Sequence, residues 1–200
     1  MRIVAKIYKT QLKGVYMDSK KFWQIIDEAR EQAGNWEDMI EPLANALENL
    51  DDMEIFRWQQ IYDVYQNLSY KNKLWAAAYI INGGCSDDGF DYFRAWLTAQ
   101  GKDVFIAALN DPETLADADI LGESAEFEEI IGIAPDSYFN KHGIEPDYDY
   151  FYNELEKNPL SDAKKTEITA EIKYAPDIDK EWEEEDLKEW LPKLCAACDW

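Results

Sequence analysis

The segment at residues 73–101, KLWAAAYIINGGCSDDGFDYFRAWLTAQG, restricts the fold of this chain more than any other part of it. Residues 73–82 are apolar on almost every side of a helix, a pattern typical of a buried central helix. Asn82 and Gly83 or Gly84 tolerate the left-handed conformation that ends a helix. Ser86 or Asp87 can then cap the next helix. We therefore predict a corner between two helices at this point.

Most of the remaining sequence also has helical periodicity. Asp18 or Ser19 can cap the first amphipathic stretch, and Pro42 lies early enough in the second to be tolerated. Pro135 is expected to end the last regular stretch. The predicted fold class is mainly α, a helical bundle of about six to eight helices. The predicted helices lie near residues 20–32, 36–50, 51–70, 73–82, 87–100, 103–110 and 123–131.

Two distant segments favour β-strands. RIVAKIYKT, at residues 2–10, alternates residue types and is rich in β-branched and aromatic side chains. In TEITAEIKY, at residues 166–174, every second residue from Ile168 to Tyr174 would lie on one face of a strand. Pairing of the two segments would give a small two-stranded β element that holds both ends of the chain.

The composition divides the chain into three parts. We predict an N-terminal strand or arm at residues 1–16, a helical domain at 17–140, and an acidic, aromatic-rich arm at 141–200. The third part is expected to pack back on the helical domain through its aromatic side chains. These are Tyr148, Tyr150, Phe151, Tyr152, Trp182 and Trp190.

The charge of the chain excludes several function classes. A formal net charge of −22 leaves no broad basic surface for nucleic acid or an anionic membrane, so we expect neither as a direct partner. A basic protein partner is favoured instead. The three cysteines have no disulfide-framework spacing, and no apolar run is long enough for a signal peptide or a membrane span. These features indicate a cytoplasmic protein, and the sequence leaves its oligomeric state open.

DDGFD is the sharpest candidate for chemistry. It places Asp87, Asp88 and Asp91 within one turn of a helix, a spacing that can hold Mg²⁺ and a diphosphate. Trp75 or Tyr92 would line such a pocket. However, no second acidic motif accompanies the first, and Arg94 lies three residues after Asp91, where it can neutralise the carboxylate. We expect an ion-paired corner here and keep a small-molecule or metal-phosphate site as an alternative.

The cysteines and the histidine offer weaker alternatives. Cys85 begins a helix, but neighbouring carboxylates oppose formation of a thiolate, and His142 is the only imidazole that could act as its base. Cys195 and Cys198 have redox spacing without the strand and helix that normally flank such a motif. We predict no catalytic residue, no metal site and no cofactor.

The abundance of aromatic residues suggests a binding surface. The chain has 8 Trp, 12 Tyr and 8 Phe, and Trp and Tyr are typical anchors of protein interfaces. Trp182 precedes an acidic run that is most simply a solvated helix start, where negative charge suits the helix dipole. The same run can contact a basic partner, and its members are Glu183, Glu184, Glu185 and Asp186.

Three segments together resemble a known family. They are FWQIIDEAR at residues 22–30, LWAAAYIINGGCSDDGFDYFRAWLTAQG at 74–101, and VFIAALNDPETLAD at 104–117. In order and spacing they are similar to DUF4240, the bacterial domain of unknown function catalogued as four-two-four-zero, over about residues 17–140. The resemblance implies a helical domain and a bacterial source. It supplies no catalytic residues.

We hypothesise a non-enzymatic binding protein, most concretely an immunity protein or antitoxin. A small, strongly acidic and aromatic-rich chain can occlude the cationic active-site cleft of a toxin domain, with the C-terminal acidic arm as the contact. The alternative from another class is the ligand site at Asp87, Asp88 and Asp91. A further alternative is a nucleic-acid mimic, which requires regular rows of carboxylates on one face.

Overall fold

The computed structural model of the protein describes residues 16–117 and 124–200, and the regular structure of these residues is helical, with no strand. This confirms the mainly α fold class. The described residues form two compact units. Unit 1 contains residues 16–61 and 133–160, and unit 2 contains residues 62–117, 124–132 and 161–200. Residues 141–200 therefore contribute to both units.

Unit 1 is built around four helices and part of a fifth. They are α1 (Ser19–Ala33), α2 (Ile40–Glu48), the first part of α3 (Asp52–Ser69), α7 (Ile133–His142) and α8 (Tyr148–Lys157). The Asp18 carboxylate caps α1 by accepting the Lys21 N–H at 2.9 Å, as the sequence predicted. One face of α1 is buried, and it consists of Phe22, Trp23, Ile25, Ile26 and Ala29. A 3₁₀ turn at Glu37–Met39 precedes α2, whose first turn accommodates Pro42.

Unit 2 contains the second part of α3 and the helices around the predicted corner. These are α4 (Asn72–Asn82), α5 (Asp87–Ala99) and α6 (Lys102–Asn110), followed by α9 (Asp162–Ala170), α10 (Leu187–Trp190) and α11 (Pro192–Ala197). Short 3₁₀ turns lie at Pro112–Asp117, Glu128–Ile130 and Glu184–Asp186. The middle of α4 is buried through Leu74, Ala76, Ala77, Ala78 and Ile80, as its apolar sequence predicts.

The predicted β element is not supported. Residues 2–10 lie outside the described residues, and residues 166–174 are wrong as a strand because α9 occupies most of them. The Ser161 hydroxyl caps this helix by accepting the Lys164 N–H. Ile168 is buried on α9, and Ile172, which is also buried, lies just beyond the C-cap at Glu171.

Two further helix predictions need correction. Pro135 does not end a regular stretch, since it lies in the first turn of α7, where a missing N–H removes no helical hydrogen bond. Within predicted helix 123–131 the described residues form only the short 3₁₀ turn. The reason is that the backbone N–H groups of Ala125 and Phe127 are used elsewhere, by the Asn82 side chain and the Tyr92 carbonyl.

The aromatic side chains of residues 148–152 also differ from expectation. Phe151 is fully buried, but Tyr148, Tyr150 and Tyr152 are 47%, 44% and 42% exposed. Phe151 and Leu155, four residues apart, take the core-facing side of α8, so the three tyrosines cannot share it. These tyrosines are thus partly exposed, and two of them also contact the helical domain, Tyr148 through Phe139 and Tyr150 through Tyr138.

Candidate functional site

The corner between α4 and α5 has the predicted local structure. Gly83 closes α4 in the left-handed conformation, with φ of 67°, and the Gly84 N–H donates to the Tyr79 carbonyl at 2.8 Å. The Ser86 hydroxyl caps α5 by accepting the Gly89 N–H at 3.1 Å. Gly83, Gly84 and Ser86 thus have structural roles at this corner.

Arg94 holds the corner together from inside. Only 7% of this residue is exposed, and its guanidinium donates to the Gln66 carbonyl at 2.6 Å and to the Asp91 carboxylate. The same guanidinium lies over the Tyr70 ring, 4.8 Å from its centre, and over the Phe90 ring at 5.1 Å. Because Asp91 is half-exposed, the carbonyl and the two rings are the stronger partners of this buried cation.

The three aspartates of DDGFD do not converge on one point. Asp87 accepts a hydrogen bond from the Tyr70 hydroxyl at 2.9 Å, Asp91 pairs with Arg94, and Asp88 is exposed. Among residues 16–117 and 124–200, no group of three or more His, Cys, Asp or Glu side chains is arranged to hold a metal ion. The aspartates therefore act through separate contacts.

The three thiols have raised pKa values, the opposite of what an activated nucleophile needs. Burial and the nearby Glu126 carboxylate raise the pKa of Cys85 to about 11, so the thiol stays protonated at neutral pH. His142 Nε2 lies 3.1 Å from Asp52 Oδ1, so the imidazole has a carboxylate partner within its own unit. Burial likewise raises the pKa of Cys195 and Cys198, both free thiols.

Trp75 has an anchoring role at the corner. Its indole stacks on Phe90, with ring centres 4.8 Å apart and planes 12° apart, and its N–H donates to the Cys85 carbonyl at 3.1 Å. Trp75 and Tyr79 are four residues apart on α4, so both lie on the side of this helix that remains half-exposed. The predicted contact residue Trp75 thus begins an exposed stripe on a helix that is otherwise buried.

A second group of rings continues from Tyr79. The Tyr79 ring lies edge-on to Trp182 at 5.5 Å and to Trp200 at 5.4 Å between ring centres. Its hydroxyl donates to Glu184 Oε2 at 3.2 Å, and this hydrogen bond raises the pKa of Tyr79. We call this site the aromatic–acidic surface. It consists of Trp75, Tyr79, Trp182 and Trp200 with the exposed carboxylates Glu183, Glu184, Glu185 and Asp186.

The acidic run has a defined local structure. Glu184–Asp186 form a 3₁₀ turn, and the Glu183 N–H donates to Asp186 Oδ2 at 3.1 Å. In return the Glu183 side chain accepts the Asp186 backbone N–H, so the two residues form a capping box at the start of the turn, and residues 183–186 are all exposed. The structure thus brings Trp182 and the predicted acidic residues together with Tyr79.

Tyr92 contacts a different carboxylate. Its hydroxyl donates to Glu128 Oε1 at 3.1 Å, and this hydrogen bond raises the pKa of Tyr92. Sequence reasoning singled out Tyr92 but missed Tyr79, although Tyr79 follows Trp75 by one helical turn in a stretch of alanines. Trp200 and Gln66 carried no such signal, because only the folded chain brings them to their partners.

Fold and site together define a mainly helical protein in which half-exposed aromatic side chains are bordered by carboxylates. None of the described helices is both long and apolar enough to cross a membrane. The chain belongs to the family described as Protein of unknown function (DUF4240), whose model matches residues 17–140. This match confirms the family resemblance of the three sequence segments. No curated protein and no solved structure matches the chain.

Proposed function

We propose that this chain is a non-enzymatic inhibitor that binds a basic protein partner through the aromatic–acidic surface. Most concretely, it would be an immunity protein or antitoxin that acts in the bacterial cytoplasm by occluding the cationic active-site cleft of a toxin. The observation that carries the proposal is the ring group of Tyr79, Trp182 and Trp200 beside the exposed carboxylates of residues 183–186.

The residue types of this surface support protein binding. Trp and Tyr contribute large, rigid contact areas at interfaces, and each has a polar group that tolerates partial exposure. Tyr79 and Trp182 are only half-buried, so their remaining area is accessible. Binding a partner would remove this apolar area from water and so contribute favourably to the affinity.

The charge of the chain supports a basic partner and fast association. At a net charge of −22, long-range attraction steers a cationic protein toward the acidic surface, while it repels nucleic acid. Exposed carboxylates at the rim affect mainly the rate of association and its salt dependence. An inhibitor that must reach a toxin quickly benefits from this property.

A co-expression experiment tests the proposal. The protein is expressed with the product of a toxin-like gene adjacent to its own, and growth of the host and the affinity of the purified pair are measured. We expect protection from the toxin by the unaltered protein. We also expect the double variant E184Q/E185Q to associate about tenfold more slowly at low salt, because rim charges set the association rate.

The matched control removes two exposed carboxylates from unit 1, in the variant E31Q/E41Q. It has the same net charge as E184Q/E185Q, so an equal loss of association rate in both would mean that only total charge matters. A third variant, Trp182→Ala, removes a ring without changing the charge, and it should accelerate dissociation. Protection that survives all three variants unchanged would rule out the aromatic–acidic surface as the contact.

A further inference from the structure

Unit 1 has an exposed apolar patch of its own. Ile144, Tyr148, Tyr150 and Tyr152 lie within nine residues of one another in the sequence and are each at least 42% exposed. An exposed concentration of large apolar side chains on a folded protein commonly marks a contact site. The proposed function makes no use of this patch.

The fold of α8 fixes which tyrosine lies on which side. Phe151 and Leu155 face the core, with the Phe151 ring 5.1 Å from Phe56. Tyr148 and Tyr152 are four residues apart and lie on one flank of this buried row, whereas Tyr150 lies on the other flank. The Tyr148 ring lies edge-on to Phe139, with ring centres 6.1 Å apart.

Carboxylates surround the Tyr148 side of the patch. A shallow depression is lined by Glu145, Pro146, Asp147, Tyr148 and Asp149. The Tyr148 hydroxyl donates to Asp136 Oδ1 at 2.7 Å, which adds a further carboxylate beside the ring. Residues 143–160 contain five acids and one base, so this part of unit 1 is strongly negative. We call this site the Tyr148 depression.

Unit 2 contains the same combination of an aromatic ring and a carboxylate, and there a lysine or arginine of the chain itself contacts both. Arg94 lies over Tyr70 and pairs with Asp91. The same arrangement occurs twice more. Lys71 lies 4.8 Å from the centre of Tyr174 and pairs with Asp179 at 2.8 Å, and Lys73 lies 5.2 Å from Trp190 and pairs with Asp177 at 2.9 Å.

The Tyr148 depression differs in one respect. Among the residues that the structure describes, no lysine or arginine pairs with Glu145, Asp147 or Asp149, and none lies over the Tyr148 ring. The ring and the carboxylates are thus in place without a cation from this part of the chain.

We propose that the Tyr148 depression binds an arginine side chain from a basic segment of a protein partner. A planar guanidinium can stack on the tyrosine ring while its edge donates two hydrogen bonds to a carboxylate. Lysine has a compact, strongly hydrated ammonium group and gains less from the ring, so the depression discriminates between the two. This contact goes beyond the proposed function, because it lies in unit 1 and requires none of the residues of the aromatic–acidic surface.

The experiment measures binding of two short peptides by NMR titration of the full-length, isotope-labelled protein. One peptide carries arginines spaced by glycine and serine, and the other carries lysines at the same positions. We expect the arginine peptide to bind about fivefold or more tightly than the lysine peptide at physiological salt. The largest shifts should occur at residues 145–152.

Three variants locate the site. Tyr148→Ala and Asp149→Asn should each weaken the arginine peptide by about threefold to tenfold, whereas Tyr148→Phe keeps the ring and should change its affinity by less than about twofold. The matched control is Tyr150→Ala, on the other flank of α8 with nearly the same exposure, which should have little effect. Asp149 is exposed, so Asp149→Asn tests the depression even if Tyr148→Ala fails to fold.

Other outcomes overturn the inference. Equal affinity for the two peptides would mean simple charge attraction. Equal loss in Tyr148→Ala and Tyr150→Ala would remove the specific role of Tyr148. If E184Q/E185Q alone abolishes peptide binding, the peptide binds the aromatic–acidic surface, which refutes this inference and leaves the proposed function standing.

Discussion

Replacing Arg94 by methionine tests whether the corner is a structural centre. Methionine fills much of the space of the arginine stem but cannot donate to the Gln66 carbonyl or to Asp91. Loss of these hydrogen bonds destabilises the variant, whereas removal of the buried Arg94 Nε, unpaired among the described residues, stabilises it. We expect the loss to be the larger of the two effects. The variant should fold and be less stable than the unaltered protein.

The magnitude follows from the contacts of the guanidinium. A hydrogen bond from a charged group to a buried carbonyl contributes about 1.5–3 kcal/mol, and stacking over Tyr70 and Phe90 contributes about 0.5–2 kcal/mol. The ion pair adds about 0–1 kcal/mol, because Asp91 is half-exposed. In the opposite direction, Arg94 Nε is buried with no acceptor among the described residues, so its removal stabilises the variant by about 1–3 kcal/mol. The net cost is about 2 kcal/mol.

Thermal unfolding followed by tryptophan fluorescence measures this cost. For a chain of this length about 1 kcal/mol lowers Tm by about 2–4 °C, so Arg94→Met should lower Tm by about 4–8 °C. The control is Asp91→Asn, which removes only the half-exposed partner and should lower Tm by less than about 4 °C. An equal shift in the two variants would assign the stability to the ion pair. An unchanged Tm in Arg94→Met would refute the structural role of the buried cation.

Two further predictions concern buried ionisable groups. Cys85 should react with a disulfide reagent far more slowly than a free thiol at pH 7.5, because its pKa is raised to about 11. The reaction rate should increase with pH up to about pH 11. A fast reaction at neutral pH would contradict the burial of this thiol. Burial raises the pKa of Glu113, whose Oε2 accepts the Lys193 N–H at 2.8 Å. Ionisation of this carboxyl therefore opposes folding, and the stability of the protein should increase as pH falls through the folded-state pKa of Glu113. Glu113→Gln should therefore be as stable as the unaltered protein or more so at pH 8, whereas Glu113→Ala, which lacks the acceptor, should lose about 1–2 kcal/mol by urea unfolding. A lower stability of Glu113→Gln at pH 8 would contradict this sign.

Local sequence signals were sufficient for the corner. Gly83 and Ser86 act through backbone conformation and hydrogen bonds to near neighbours, so their roles could be read directly from residue type and position. The Asn82 side chain instead bonds the Ala125 backbone 43 residues away, a contact with no local signal. The same holds for the cap at Asp18 and for the amphipathic face of α1.

Signals that depend on distant parts of the chain were not sufficient. The alternating pattern of residues 166–174 favoured a strand, whereas the cap at Ser161 starts a helix that extends to Ala170. The sequence could not distinguish the buried Phe151 from its exposed tyrosine neighbours, because burial depends on which side of α8 meets the core. The contact between Gln66 and Arg94 joins two helices and has no local signature.

One hydrogen bond described by the structure has a practical consequence for cloning and for comparing family members. The backbone N–H of Lys73, at the first turn of α4, donates to the Ile178 carbonyl at 2.8 Å, although residue 178 lies beyond the region matched by the family. That region also stops inside α7, which continues to His142. A fragment cut at residue 140 would shorten α7 and remove the acceptor of the Lys73 N–H in α4, so the residues matched by the family are not the limits of an autonomous folding unit.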